Sequence, residues 1–188
     1  MGDWNTQSLQ GYFLVASSRL VDPNFYRSVV FLIQHDIEGA LGVVITRPTN
    51  NTVGDLWQEV CGECREDDGP VFWGGPVSGP VLMLHTDVTA SQDEILPGLY
   101  LAADRLQLEV VLNQEAHDSR LFVGYAGWSA GQLESEMSDG SWLPLPGDIP
   151  TLFSEDDDLW EQLMHHIGDA ILSPMLQSVP VPEDPSLN

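Results

Sequence analysis

Between Gly11 and Pro48 the chain carries three unbroken apolar runs: Tyr12–Ser17, Ser28–Gln34 and Ala40–Thr46. A strand with one face in water alternates apolar and polar residues. Runs without that alternation, rich in β-branched side chains, predict strands covered on both faces. The link between the second and third runs, His35-Asp36-Ile37-Glu38-Gly39, has the length of a hairpin loop and makes that pair antiparallel. Such a block cannot fold as a lone sheet; other layers must cover it.

The rest of the chain supplies those layers. Strands are expected at 71–73, 81–85, 98–102, 121–125 and 141–145, with Pro48 ending the third strand and Gly74-Gly75-Pro76 forming a tight turn. Asn51–Asp55 offers a cap for a helix through Val60 that buries Val53, Leu56, Trp57 and Val60. A helix over 104–114 buries Leu108, Val111 and Leu112, and a short one over 131–137 closes at Asp139-Gly140. Ser154 is expected to cap a last helix to about Ile171, whose acidic start Glu155–Asp158 suits a helix N-terminus. Strands interleaved with helices give an α/β (α+β) class: a single-domain sandwich of a mixed, largely antiparallel sheet with packed helices. Residues 1–8 read as a flexible start and 9–172 as the domain. Pro174, Pro180, Pro182 and Pro185 mark 173–188 as a disordered tail.

Charge narrows the partners. Asp and Glu number 29 against six arginines, no lysine occurs, and the formal net charge is −23. Nucleic-acid affinity comes largely from Lys and Arg neutralising phosphates, so direct DNA binding is not expected, nor is adhesion to anionic membranes. A surface like this suits a basic protein partner, or simply solubility and salt tolerance. Met1–Asn5 lacks the basic and apolar regions of a signal peptide, and no apolar run approaches the roughly 18 residues of a membrane span. Two cysteines cannot make a disulfide framework. The expectation is a cytoplasmic protein without cofactor or metal.

Chemistry-bearing residues are few. Arg19, Arg27 and Arg47, with Asp22, Asn24 and His35, form a candidate anion or partner site. Its structural alternative is a set of ion pairs with Asp22, Asp36 and Glu38 that pins the Asp22-Pro23-Asn24-Phe25 turn, with Phe25 buried. His35 and Asp36 adjoin on a strand and so point to opposite faces, which weakens a base-and-orienter pair. No Gly-x-Ser-x-Gly elbow occurs; Gly127-Trp128-Ser129-Ala130-Gly131 is the nearest spacing. Cys61-Gly62-Glu63-Cys64 lacks a second ligand pair for zinc and sits in an acidic loop, so it reads as incidental. His165 and His166 make no metal face, and His85 ends a strand. Gly74-Gly75-Pro76 could present N–H groups to an anion but serves a turn more simply.

The block Gly11–Pro48 also resembles the N-terminal signature of the YqgE/AlgH family. Further segments match in order: Gly74-Gly75-Pro76-Val77 with Leu84-His85-Thr86; Gly124-Tyr125-Ala126-Gly127-Trp128, Gly131-Gln132-Leu133-Glu134, Glu136 and Trp142-Leu143; then Leu152-Phe153, Trp160 and Ile167-Gly168. The resemblance spans about 9–172 and implies one α/β sandwich domain, a cytoplasmic protein and, in some members, a loose association with transcriptional control. Thr46 replaces the usual Asn, Ser18 the usual Pro, and Gly79-Pro80 a frequent Arg-Gly step. The resulting expectation is a non-enzymatic regulatory or binding protein acting through an unknown protein partner. The alternatives are an enzyme, hydrolase-like, using His35, Arg27 and Arg47, and a sensor using Cys61 and Cys64.

Overall fold

The three apolar runs become neighbouring strands β1 (Tyr12–Ala16), β2 (Val29–Asp36) and β3 (Gly39–Val44). The computed structural model describes residues 8–62, 66–67, 69–90, 93–114 and 118–177. The elements that follow in the chain are β4 (Pro48–Thr52), α1 (Val53–Cys61), β5 (Pro70–Trp73) and β6 (Leu82–His85). Then come β7 (Asp93–Leu96), β8 (Leu99–Ala102), α2 (Arg105–Leu112), β9 (Ser119–Val123) and β10 (Ala126–Ser129). The chain continues with α3 (Gln132–Ser138), β11 (Trp142–Pro146), the single turn α4 (Ile149–Leu152) and α5 (Leu159–Gln177).

Two sheets stack. The first, in the order β10-β3-β2-β1-β11, is antiparallel throughout; the second, β4-β5-β9-β6-β8-β7, is antiparallel except for the parallel pair β5–β9. This is the mixed, largely antiparallel α+β sandwich expected from the sequence, divided between two sheets. Alternation along β2 shows why its run is continuous. Val29, Phe31 and Ile33 point between the sheets, with Phe72, Leu84 and Phe122 from the other side. Val30 and Leu32 point outward into a layer with Leu133 of α3, Trp128 and Trp142. On the outer face of the second sheet, Val53 and Trp57 of α1 meet Leu108, Val111 and Leu112 of α2 over Val71, Met83 and Leu121.

Local signals account for most boundaries. Thr52 and Asp55 form a reciprocal capping box that starts α1, and Gly62, at φ 73°, ends it. Asp104 and Gln107 do the same at the start of α2, whose buried residues are the three expected. The Gly74-Gly75 step is more than a turn: a Cβ on Gly74 would lie 2.3 Å from Gly124 O, and one on Gly75 2.2 Å from Tyr125 C. Two backbones cross there at a distance only glycine permits, and the crossing ties β5 to the chain leading into β10.

Several expectations need correction. Pro48 begins an edge strand, β4, instead of only ending its predecessor; an edge tolerates the missing N–H. Ser154 does not cap the last helix, which starts at Leu159 after a turn at 156–158, and α5 runs through Pro174 to Gln177. Leu56 is only half-buried. Strands β7 and β10 and the turn α4 were not foreseen. The start 1–7, the tail beyond 177 and the Cys61–Cys64 geometry lie outside the described residues and side chains. Among the described residues no helix is long and apolar enough to cross a membrane.

Candidate functional site

A cleft of about 630 Å³ opens at the end of the sandwich where β3 finishes and the parallel pair β5 and β9 begins. That volume lies within the range of ligand-binding pockets, roughly 300–1,000 Å³. Ile45, Phe72 and Leu159, which belong to the inter-sheet core, and Val53, Leu112 and Leu121 from the outer helical layer line its walls. Its polar lining is mostly acidic: Asp67, Asp118, Glu155, Asp156 and Asp157.

Among the described residues one cation lies in this cleft. Period-2 alternation along β9 turns Leu121 outward and Arg120 and Phe122 inward, so Arg120 occupies a core-facing position at the open end of the sandwich. It is 7% exposed. Its Nη1 donates to Ile45 O at 3.3 Å and its Nη2 to Ser154 O at 3.0 Å, and the guanidinium lies 4.2 Å from the Phe72 ring centroid. Loss of water pushes its pKa down to about 10, with Glu155 acting in the opposite sense through space. The two hydrogen bonds tie the end of β3 to the turn that leads into α5.

The six predicted site residues do not converge. Arg19 is exposed, and the Asp22 carboxylate accepts the backbone N–H of Asn24 at 2.8 Å, an Asx turn that organises the loop. Arg27 sits at φ 51°, in the left-handed region, pairs with Glu161 of α5 at 3.5 Å and lies over Trp160 at 5.1 Å. The expected set of pairs with Asp22, Asp36 and Glu38 does not form among the described residues; Arg27 has an acidic partner, but it is Glu161, and the side chains are 54% and 52% exposed. Phe25 is half-buried, packed against Trp128 and Trp142. Arg47 donates to Tyr26 O at 2.9 Å and lies over Trp73, near the same turn. His35 is at the far end of β2, seven residues beyond Ser28, or roughly 23 Å along a strand. Arg27 and His35 cannot share one small substrate.

His35 belongs to a different, closed network. Its Nδ1 accepts the Leu9 N–H at 2.9 Å, which leaves Nε2 to donate to Glu134 Oε1 at 2.9 Å. Two residues on, Glu136 Oε2 accepts the indole N–H groups of Trp128 at 3.0 Å and Trp142 at 2.8 Å, while Oε1 accepts Gln132 Nε2 at 3.0 Å. Asp36, exposed beside His35, is held below the usual carboxylate range by the Gln34 amide and the Glu38 N–H. Ser129 Oγ donates to Gln132 Oε1 and has no base as partner. His85 is buried against Tyr100. Among the described residues no group of three His, Cys, Asp or Glu side chains is placed to hold a metal ion.

The sequence pattern starts this strand at Leu121 and leaves Arg120 outside it, whereas β9 begins at Ser119. Extending that strand by one residue puts Arg120 in phase with Phe122, and an arginine in phase with a core phenylalanine was the available signal.

Comparison with known proteins places the architecture. The profile of the AlgH-like family matches residues 13–172. A UPF0301 protein of Streptomyces coelicolor is 39% identical over all of this chain and 99% of its own length. A UPF0301 protein of Chlorobaculum tepidum is 36% identical over 84% of this chain and 86% of its own. The solution structure of the AlgH protein from Pseudomonas aeruginosa superposes with a TM-score of 0.71 at 27% identity, covering 98% of this chain and 100% of that one. A Corynebacterium diphtheriae protein, at 23% identity and a TM-score of 0.67, shares the fold.

Proposed function

The chain belongs to the AlgH-like family, and from that premise we propose that it is a non-enzymatic regulatory or binding protein that docks a basic protein partner in its acidic cleft. The observation that supports this reading is the lining itself: five carboxylate side chains ring a concave surface with apolar walls. Such a lining suits a segment that alternates arginine or lysine with apolar residues, and it repels phosphate backbones. The candidate catalytic residues argue against the enzymatic alternative, since His35 is bonded within its own network and Arg27 and Arg47 lie at the opposite end of β2. The reading places the protein in the cytoplasm, with any influence on transcription passing through the partner and not through DNA.

Two titrations test it. A fluorescent hexapeptide of alternating leucine and arginine should bind saturably, with affinity that falls as salt rises from about 50 to 150 mM. Duplex DNA under the same conditions should not bind saturably below about 1 µM. Tight, salt-sensitive DNA binding, or indifference to the peptide, would overturn the reading.

A further inference from the structure

Arg120 is a buried cation whose charge is not matched locally. Among the described residues no carboxylate oxygen lies within ion-pair distance of its guanidinium. Both acceptors, Ile45 O and Ser154 O, are neutral carbonyls, one on each Nη nitrogen. Each Nη carries a second N–H and Nε one more, so three of the five donors are not taken up by these bonds. A side chain only 7% exposed keeps its charge at a cost that an anion beside it would relieve. The planar fork of a guanidinium matches a carboxylate edge-on, and Phe72 on its face holds that plane in place.

The surroundings select among anions. Glu155, Asp156 and Asp157 follow directly on Ser154, and Asp67 and Asp118 complete the lining. A dianionic phosphate entering there meets repulsion from all five. A single carboxylate attached to a cationic chain satisfies both charges of the cleft: its anion on Arg120, its cations on the rim. A peptide end has that layout, since the last residue bears one carboxylate and the preceding side chains can be basic.

Resting on the docking reading above, we infer that Arg120 receives the free C-terminal carboxylate of the basic partner segment, while the lining carboxylates hold the arginine or lysine side chains that precede it. The cleft thus reads a chain end and not an internal stretch.

Two N-terminally labelled hexapeptides of alternating leucine and arginine test this, identical except that one ends in a carboxylate and the other in a carboxamide. The carboxylate form should bind the unaltered protein about tenfold or more tightly, in keeping with a charge-assisted bidentate pair. Arg120→Met should abolish that difference, and Arg120→Lys should restore part of it. Equal affinity for the two peptides in the unaltered protein overturns this inference and leaves the docking reading standing. No saturable binding of either peptide up to about 1 mM overturns the docking reading and this inference with it. The comparison of the two peptides needs no variant, so a poorly folding substitution does not blunt it.

Discussion

The Glu136 network and the Arg120 cleft each withdraw a charged side chain from water, and they complete its bonding differently. Glu136 is met by three side-chain donors, two of them indole N–H groups on tryptophans that are 6% and 2% exposed. Those tryptophans pack edge to face at 5.9 Å, and Phe25 closes on both. Arg120 meets two carbonyls and an aromatic face, in a cleft open to solvent. A satisfied network rigidifies the fold around it, whereas a charge left with spare donors beside a cavity is ready for an incoming group. The Gly-Trp…Gly-Gln-Leu-Glu…Glu…Trp residues that carry the family resemblance thus hold α3 onto the first sheet, and they lie outside the lining of the Arg120 cleft.

That contrast can be broken most decisively at Glu136. Glu136→Ala leaves two indole donors without their acceptor. It should lower stability by about 3–5 kcal/mol, a drop of roughly 10 °C in Tm for a domain of this size. Thermal unfolding followed by tryptophan fluorescence reads it directly. A loss under about 1 kcal/mol would mean the indoles find water instead, and the network would no longer differ in kind from the cleft.

Arg120→Met should perturb stability less, between a gain of about 1 and a loss of about 3 kcal/mol, because two opposing contributions are of similar size. Removing the charge relieves a desolvation cost of about 3 kcal/mol, from a pKa pushed down to about 10. It also strips the carbonyls of Ile45 and Ser154 of their donor, at about 1–3 kcal/mol for each. The pH dependence sharpens the point. With the folded value below the ordinary one, the unfolded chain holds the extra proton over a window that opens at about pH 10. The cost is therefore present in full below about pH 10 and shrinks as pH rises through that window. Urea unfolding at about pH 9 and pH 11 should show the unaltered protein gaining on Arg120→Met.

Arg27→Ala should cost under about 1 kcal/mol, since its pair with Glu161 is exposed on both sides and only the contact with Trp160 adds to it. A larger loss would assign to the Trp160 contact more than an exposed ion pair can carry. Smallest of all, Asp156→Asn with Asp157→Asn should leave Tm unchanged within about 1–2 °C, since surface substitutions rarely exceed 0.5 kcal/mol. The same pair should weaken the salt dependence of basic-peptide binding. Unchanged salt dependence would remove these two carboxylates from the docking surface.

Much of the fold could be read directly because it rests on local rules. Unbroken apolar runs at 12–17, 28–34 and 40–46 require two covered faces, and both faces are covered. The α2 segment buries the three residues its period selects, and the capping chemistry at Thr52 and Asp104 is written in neighbouring side chains. Strands β7 and β10 were harder to see, being four-residue segments of mixed polarity whose pairing, not their composition, makes them strands.

The candidate site was mostly illegible for a different reason. Arg27 and Arg47 do gather at one turn, but His35, close to them in sequence, is carried away along β2, and Glu161, distant in sequence, is brought in by α5. The sequence by itself determined the class of fold, the net acidity of the chain, and the buried face of α2. All of these follow from periodicity and net charge, which are sums over near neighbours. Only the tertiary structure decided that Arg120 faces inward, that Ile45 and Ser154 hold it, and that five carboxylates from three separate segments line one cleft. Those relations join residues up to 75 positions apart, and no local pattern encodes a contact set by how two sheets stack.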